Sequence, residues 1–558
     1  MATIYGTAGN DTLTGVEGDI NDVLVGLAGD DRLFTTNTAS GLYGGSGNDM
    51  LRAQVSALTS GEPQRLRINE NWDGGLGDDS LLFTETGLQT TRGSADIIHT
   101  AYAGDGDDLI RALSQLSVQN GGQSTNALIW NFNIDGGSGD DRILLTSRLV
   151  TDSLDQTLFS AEAGKIKESV SGGSGYDLIR SIASIHLTSV DVASAYIEKQ
   201  IDGGDGNDTI FSSSEIVSDA NGSATIVDTI TGGDGDDRLT VVDTMTLTSE
   251  TLSDLATIHH NLDGGDGNDT LRMETTITLG STPVPYGDFS SVFDGGNGND
   301  RIVIETTLNF TSDAPFRLGQ FGEVHGGDGN DWIEASVTAN ASAEQLQASY
   351  DQYGFFSSSL GFYIEGNDGN DTIQVSVSGS IGGSGSVYGG VGNDRMFISL
   401  SNSIYGEMYA EGGAGNDLMV MSVTNSINSR SFVLGGDGND KIIVSGGNGE
   451  ASVFYVDGNL IYGGAGNDTM TGSDGIDTFA YEPALVPGGE LINGVVERDV
   501  ITNFGVAEGD AIQLEHGAAD VTGWRVAGGN TVLTLFGDGD LIVLRNVVIH
   551  DLSDILFA

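Results

Sequence analysis

Aspartate is the residue whose placement in this chain could do chemistry. Eighteen times a glycine-rich turn closes on an aspartate, and an apolar residue follows two positions later. The aspartates are Asp11, Asp31, Asp49, Asp79, Asp108, Asp141, Asp177, Asp208, Asp237, Asp269, Asp300, Asp331, Asp371, Asp394, Asp417, Asp440, Asp468 and Asp477. Residues Gly264-Gly265-Asp266-Gly267-Asn268-Asp269-Thr270-Leu271 are the clearest copy. Calcium is a hard cation that takes about 6 to 8 oxygen ligands, backbone carbonyls and carboxylates among them. A glycine-rich turn can aim carbonyls inward without side-chain obstruction, and its closing aspartate adds a charged donor. One turn cannot surround an ion, whereas two stacked on adjacent rungs can, so each ion would also clamp neighbouring repeats. A single copy would read as an ordinary β-turn. A ladder of carboxylates about 4.8 Å apart would repel itself unless cations intervened. All eighteen aspartates are therefore candidate Ca2+ ligands, with multiple ions at about one per stacked pair of turns.

The elements that must hold these turns are also legible. Spacing between successive aspartates is mostly 28 to 36 residues before Asp331, then 40, then 23, 23 and 23 to Asp440, while the turn keeps its length. Alternation follows each turn: Ile302, Ile304, Thr306, Leu308 and Phe310 fall on one side and Arg301, Val303, Glu305, Thr307 and Asn309 on the other, a half-buried strand. Two residues before the glycine pair stand Trp72, Ile134, Val170, Ile201, Ile230, Leu262, Phe293, Val324, Ile364, Val387, Ala410, Val433 and Ile461, the inward residues of an arriving strand. Each repeat thus reads as strand, metal turn, strand, with a variable loop closing the far side. The predicted fold is all-β, a parallel β-roll or β-helix solenoid with one row of calcium-binding Gly-Asp turns over residues 1–479 and a β-rich C-terminal cap over 480–558. Stacked at about 4.8 Å, the rungs of such a coil would extend roughly 80 Å. Short helices are expected at 342–349 and 191–199. Threonine-rich runs such as 244–251 and 275–279 read as strands or hairpins projecting beside the coil.

Composition narrows the function. Eighty acidic residues against 22 basic ones give a formal charge of −58, which disfavours nucleic acid and anionic membranes as partners and favours divalent cations. Sixteen ions, one in each gap between the turns of Asp11 and Asp468, would bring that charge to about −26. Phased aliphatics argue against disorder in the calcium-loaded state, while the cation-free chain is expected to be loose. Glycine supplies 85 residues without a Gly-X-Y period, which excludes collagen, and the absence of cysteine excludes disulfides and thiolate metal sites. No apolar stretch is long enough to span a bilayer.

The turns resemble the nonapeptide of the repeats-in-toxin family, Gly-Gly-x-Gly-x-Asp-x-apolar-x, which Gly203-Gly204-Asp205-Gly206-Asn207-Asp208-Thr209-Ile210-Phe211 fits completely. That resemblance implies a calcium-bound parallel β-roll exported by type I secretion machinery from a Gram-negative bacterium. It implies calcium ligation at Asp208, Asp269, Asp300, Asp331 and Asp440 and, by the same pattern, at Asp237, Asp141, Asp49, Asp394, Asp417 and Asp468. The family's usual nine-residue tandem spacing occurs here only between Asp468 and Asp477, so the chain looks like a variant with one calcium edge and one elaborated edge. Weaker copies at Gly6-Thr7, Gly26-Leu27, Ala103-Gly104, Gly366-Asn367 and Gly472-Ser473 each lack one paired glycine. Val500-Ile501-Thr502-Asn503-Phe504 and the apolar acidic tail Asp551 to Ala558 resemble the closing segment and uncleaved secretion signal of such proteins.

No catalytic residues are nominated. The histidines do not form His-Glu-x-x-His, no Gly-x-Ser-x-Gly elbow or Walker loop occurs, and the pair His259-His260 is expected at a surface or interface. With repeats beginning at residue 6, the rod itself is the expected product: an extracellular, calcium-dependent structural protein that self-associates head to tail into a filament or surface layer. One alternative is an adhesin or carbohydrate-binding protein that meets cell-surface or extracellular polysaccharide through the aromatic group Tyr350, Tyr353, Phe355, Phe356, Phe362 and Tyr363. A secreted polysaccharide-acting enzyme is the other.

Overall fold

The structure is a computed structural model that describes residues 3–16, 22–36, 41–56, 59–60, 66–90, 95–119, 128–154, 164–189, 194–219, 222–248, 255–280, 286–310, 317–318, 322–340, 361–379, 384–401, 407–424, 430–446, 459–481, 497–514, 517–535 and 540–557. The chain forms two compact units, residues 1–296 with 305–317, and residues 297–304 with 318–558.

In the first unit each long rung is a pair of strands joined by the glycine turn. Ala195–Asp205 arrives and Thr209–Ser218 departs; Ala224–Asp234 and Arg238–Leu247 form the next rung. Arriving strands pair only with arriving strands, in parallel, and departing strands do the same, which makes two facing sheets. Registers repeat without slippage here: Ile201 sits beside Ile230 and Ile230 beside Leu262 in one sheet, and Ile210 beside Leu239 and Leu239 beside Leu271 in the other. All six are at most 1 % exposed. A one-residue slip would turn each inward set outward, so burial itself enforces this register. Full burial of an aliphatic side chain contributes about 1.5–3 kcal/mol, but a lone two-strand rung has no sheet to bury it against; stability is a nearest-neighbour property of the stack.

The second unit repeats this plan with shorter strands. Phe362–Asp368, Ser384–Val391, Glu407–Ala414 and Arg430–Asp437 pair in order, as do Thr372–Ser378, Arg395–Ser401, Leu418–Thr424 and Lys441–Gly446. Both ladders continue beyond the last glycine turn. Arg498–Thr502 pairs with Thr469–Thr471, and Ala511–Gln513 pairs with Asp477–Ala480. Leu541–Leu544 then joins Arg498–Thr502 in parallel and carries an antiparallel hairpin of Val521–Ala527 and Asn530–Leu535. The tail strand Leu556–Phe557 pairs with Ala511–Gln513.

The all-β parallel solenoid expected from the repeats is the observed architecture, and every pre-turn residue from Trp72 to Ile461 named above is buried. Two local expectations are corrected. Residues 244–247 and 275–279 do not project: Thr244 pairs in register with Thr276, Met245 with Ile277, as extensions of the departing strands. Nor does a helix run through Lys199, because Ala195–Asp205 is a strand whose burial alternates every second residue, with Ala195, Ile197, Lys199 and Ile201 inward. The period-two burial of three aliphatic or small residues outweighs the helical propensity of Glu198 and Lys199. The helix expected at 342–349 lies outside the described residues.

Candidate metal centre

Stacking dictates the glycines of the turn. Gly204 and Gly206 adopt φ of +106° and +129°, a region L side chains rarely enter. A Cβ on Gly206 would also lie 1.7 Å from the Gly175 carbonyl oxygen of the preceding rung. The first glycine has a different role. A Cβ on Gly203 would fall 2.5 Å from both Asp208 Oδ2 and the Gly232 carbonyl oxygen of the next rung, so its absence leaves a hollow faced by two oxygens from two rungs. The same pair of atom types surrounds Gly172, Gly232, Gly366 and Gly412.

Each closing aspartate divides its carboxylate between two tasks. Oδ1 accepts the backbone N–H of the aspartate one rung earlier. Asp177 donates to Asp208 at 2.7 Å, Asp208 to Asp237 at 2.6 Å and Asp237 to Asp269 at 2.7 Å. In the second unit the series runs from Asp300 to Asp331 and through Asp371, Asp394, Asp417 and Asp440 to Asp468, at 2.7–2.8 Å. The other oxygen is left over. Oδ2 of Asp31, Asp49, Asp79, Asp108, Asp141, Asp177, Asp208, Asp237, Asp331, Asp371, Asp394, Asp417, Asp440 and Asp468 is buried and accepts no hydrogen bond among the described residues. A buried carboxylate oxygen without a donor is costly, and repeating it eight times along the turn edge of the first unit and six times along that of the second points to a cation as its partner. Oxygen donors of carboxylate and carbonyl type, in a hollow no side chain fills, fit Ca2+.

Electrostatics agree. Burial pushes the carboxyls of Asp79, Asp141, Asp237 and Asp371 up to about 7 and that of Asp440 to about 8; the N–H donated by the previous aspartate lowers each, and neighbouring ladder aspartates raise it further. The chain alone therefore resists ionising this edge at neutral pH.

The two outermost aspartates of the set differ from the rest. Thr7 and Ser473 replace the second paired glycine, and each caps its own carboxylate. Asp11 Oδ2 accepts from Thr7 N and Oγ1 at 2.5 and 2.8 Å, and Asp477 Oδ2 accepts from Ser473 N and Oγ at 2.6 and 3.0 Å. Asp477 also begins a strand of the arriving sheet, so it occupies the edge opposite the main ladder.

Several participants escape the glycine pattern. Asp499 accepts from Asp468 N at 2.9 Å, and Asp510 accepts from Asp477 N at 2.9 Å and from Gly505 N at 2.7 Å. Asp22 accepts from Val16 N at 2.6 Å. Each keeps the aspartate-x-apolar step, as Asp22-Val23-Leu24, Asp499-Val500-Ile501 and Asp510-Ala511-Ile512, and that step was the available signal. The residue just before the closing aspartate forms a second, exposed ladder. Asn330, Asn370, Asn393, Asn416 and Asn439 each donate N and Nδ2 to the Oδ1 of the asparagine one rung earlier, at 2.9–3.0 Å. Apart from Tyr176 and Ile476, that position is always Asn or Asp in the eighteen turns, a regularity visible in the sequence.

The pair His259-His260 is not a surface pair. His259 faces outward near Asp288, but His260 is an inward residue of its strand, 3 % exposed, with Nε2 2.8 Å from Asp243 Oδ2 and Nδ1 3.2 Å from Ser291 Oγ. Adjacent residues of a strand point to opposite faces, which separates them. Tyr350, Tyr353, Phe355 and Phe356 lie outside the described residues.

Comparison with known families agrees with the geometry. A family model described as RTX calcium-binding nonapeptide repeat (4 copies) matches residues 3–33, 18–51, 200–214, 227–240, 261–272, 323–337, 363–375, 430–450 and 457–479. No curated protein matches the chain. No helix among the described residues is long and apolar enough to cross a membrane. Matched turns lie in both compact units, so the parallel β-solenoid bears segments similar to the RTX calcium-binding nonapeptide repeat.

Proposed function

We propose that this protein is an extracellular structural element that folds around a file of calcium ions and assembles head to tail into filaments or sheets. The observation that carries the calcium part is the set of fourteen buried Oδ2 atoms without a donor, thirteen of them beside a hollow that a Cβ would fill and the other, Asp108, in a turn where Ala103 stands in place of that glycine. In this reading the ladder aspartates each ligate through Oδ2, with backbone carbonyls of the same and adjacent turns completing the shell, and about one ion lies between successive turns. Asp11 and Asp477, whose Oδ2 atoms are capped by their own turns, are the weakest of the eighteen as ligands. Millimolar calcium outside a cell would fill such sites and submicromolar cytosolic calcium would not, so binding would couple folding to export through a type I system. Residues 480–558 would close the coil and carry the secretion signal.

Rungs that stabilise one another by parallel pairing can add a rung of another copy in the same way, which supports self-association. Electron microscopy of the purified chain with and without calcium tests both parts. Rods or filaments with calcium and loose chains without it are expected; strictly monomeric material at high protein and calcium concentration would remove the assembly claim. Isothermal titration yielding only one or two ions would remove the file of sites.

One observation favours an adhesive role as the second reading. Tyr363, Tyr388 and Tyr409 stand in a row on the outer face of the second unit, ring centroids 5.2 and 5.5 Å apart, and Glu365 and Glu411 accept from two of their hydroxyls at 2.8 Å. A row of tilted rings flanked by carboxylates suits the faces of sugars. Glycan-array binding lost on changing Tyr388 and Tyr409 to alanine would support it, and unchanged or absent binding would remove it.

A further inference from the structure

The interior of the first unit is not wholly apolar. One register column of the arriving sheet places Glu70 beside His99, and Glu168, Lys199, Asp228 and His260 further along. Two clusters on this column bring two carboxylates and an imidazole together, each with one ligand atom per residue inside 4.8 Å: Glu70, Glu85 and His99, and Asp228, Asp243 and His260. They share donor types and differ in how they are satisfied.

The second cluster is closed by the protein at every ligand atom but Asp228 Oδ1. Both nitrogens of His260 meet partners, Asp243 Oδ1 accepts from Ser214 N at 2.7 Å, and Asp228 Oδ2 accepts from Ser212 Oγ at 3.1 Å. The Lys199 ammonium lies beside it, donating to Ser213 O at 2.8 Å and Ser212 Oγ at 3.1 Å. The Lys199 ammonium thus sets a buried positive charge beside Asp228.

The first cluster is left open. Both carboxylate oxygens of Glu70 are buried and neither accepts a hydrogen bond; Glu85 Oε1 and His99 Nδ1 are in the same condition. The side chains of Glu70, Glu85 and His99 are 0–1 % exposed. His99 Nδ1 lies 3.3 Å from Glu70 Oε2 and Nε2 lies 3.2 Å from Glu85 Oε2. Aromatic rings wall the site: Phe83 meets His99 edge-on at 5.1 Å and Phe132 stacks on it at 5.0 Å. The rival occupant is a proton. Burial lowers the His99 pKa, but the two glutamates hold it up at about 10. An imidazolium between two ionised glutamates would still leave a net charge of −1 sealed among aromatic rings, and although its Nδ1–H faces Glu70 Oε2 at 3.3 Å, Glu70 Oε1 keeps no donor. A divalent cation with neutral imidazole brings the trio to zero and gives that oxygen a partner.

We propose that Glu70, Glu85 and His99 form a second class of metal site inside the coil, which takes one divalent transition-metal ion of the Zn2+, Co2+ or Mn2+ type. Imidazole with two carboxylates suits borderline first-row metals, whereas Ca2+ takes an all-oxygen shell. The site is sealed, so the ion enters as the rungs fold and is retained afterwards. It would pin the rungs of Glu70 and His99 to the facing strand that carries Glu85, independently of the calcium edge.

The test refolds the full chain in calcium with Co2+ added, passes it through cobalt-free calcium buffer, and measures both metals by elemental analysis, with pulsed EPR for imidazole nitrogen on cobalt. About one retained cobalt per chain, coupled to one imidazole, is expected. Glu70→Gln with Glu85→Gln should lose it, and His260→Gln should keep it. Wild-type chain that retains no cobalt, or retains it without nitrogen coupling, overturns the proposal whether or not the double variant folds. Loss on His260→Gln with retention in the double variant overturns it as well. Calcium content is read separately, so failure here is distinct from failure of the calcium edge.

Discussion

Substitution at Asp237 separates the two tasks of a ladder carboxylate. Oδ1 accepts the backbone N–H of Asp208 at 2.6 Å, and Oδ2 is buried without a donor. Asparagine keeps the acceptor and removes the charge; alanine removes both. In chelator at pH 8 the aspartate is held ionised against its environment, because burial, with Asp208, Asp269 and Asp236 adding repulsion, places its carboxyl at about 7. Asp237→Asn should therefore be more stable than wild type without calcium. Asp237→Ala should lie below the asparagine variant by about 1–3 kcal/mol, the cost of orphaning a buried N–H. In calcium the order reverses. An ion held at free calcium a hundredfold above its dissociation constant stabilises the fold by about 2.7 kcal/mol, and each variant forfeits much of that. Long repeat arrays need not unfold in one step, so the measurement should be local: amide exchange at Asp208 and its neighbours, with and without calcium. Asparagine that destabilises this rung equally in both conditions would refute the division of labour.

Other expectations follow from the same geometry. Carboxyls raised from 3.8 to about 6–8 favour the protonated form in the folded state, so the calcium-free fold has this stability in full below pH 3.8 and loses it as pH rises through 6–8. Circular dichroism in chelator should show strand signal gained on acidification from pH 8 to about 5. Gly206→Ala, whose Cβ would meet the Gly175 carbonyl at 1.7 Å with φ at +129°, should cost more than about 3 kcal/mol in calcium, whereas Gly9→Ala, with nothing within 4 Å of its Cβ, should be nearly neutral in thermal unfolding. Lys199→Met leaves Asp228 without its buried counter-ion and should cost about 3–5 kcal/mol in denaturant unfolding, partly restored by adding Asp228→Asn.

Much of this arrangement was legible because turn residues repeat independently of spacing. Closing aspartates, their apolar partners and pre-turn aliphatics sit at fixed offsets from the glycines, so variable loops cannot blur them. Asp22, Asp499 and Asp510 were hidden because hydrogen bonds to Val16, Gly505 and the neighbouring aspartates replace the glycine pair there. The interior column was hidden for another reason. Glu70, His99, Lys199 and His260 each look like one polar residue in a polar-apolar alternation. Only the register that aligns rungs of 29 to 36 residues reveals that they share a buried line. His260 was misread because its neighbour His259 drew attention to the pair rather than to the two faces of a strand.

Each closing carboxylate grips the rung before it, and the 23-residue spacing of Asp371, Asp394, Asp417 and Asp440 makes these grips interchangeable. Excising residues 395–417 would remove one complete rung and present Asp440 to the backbone of Asp394 just as Asp417 is presented now. Coding sequence for such a segment can be duplicated or dropped in frame without creating a new kind of contact. Length is then a heritable dial, which recombination can turn without designing a new fold.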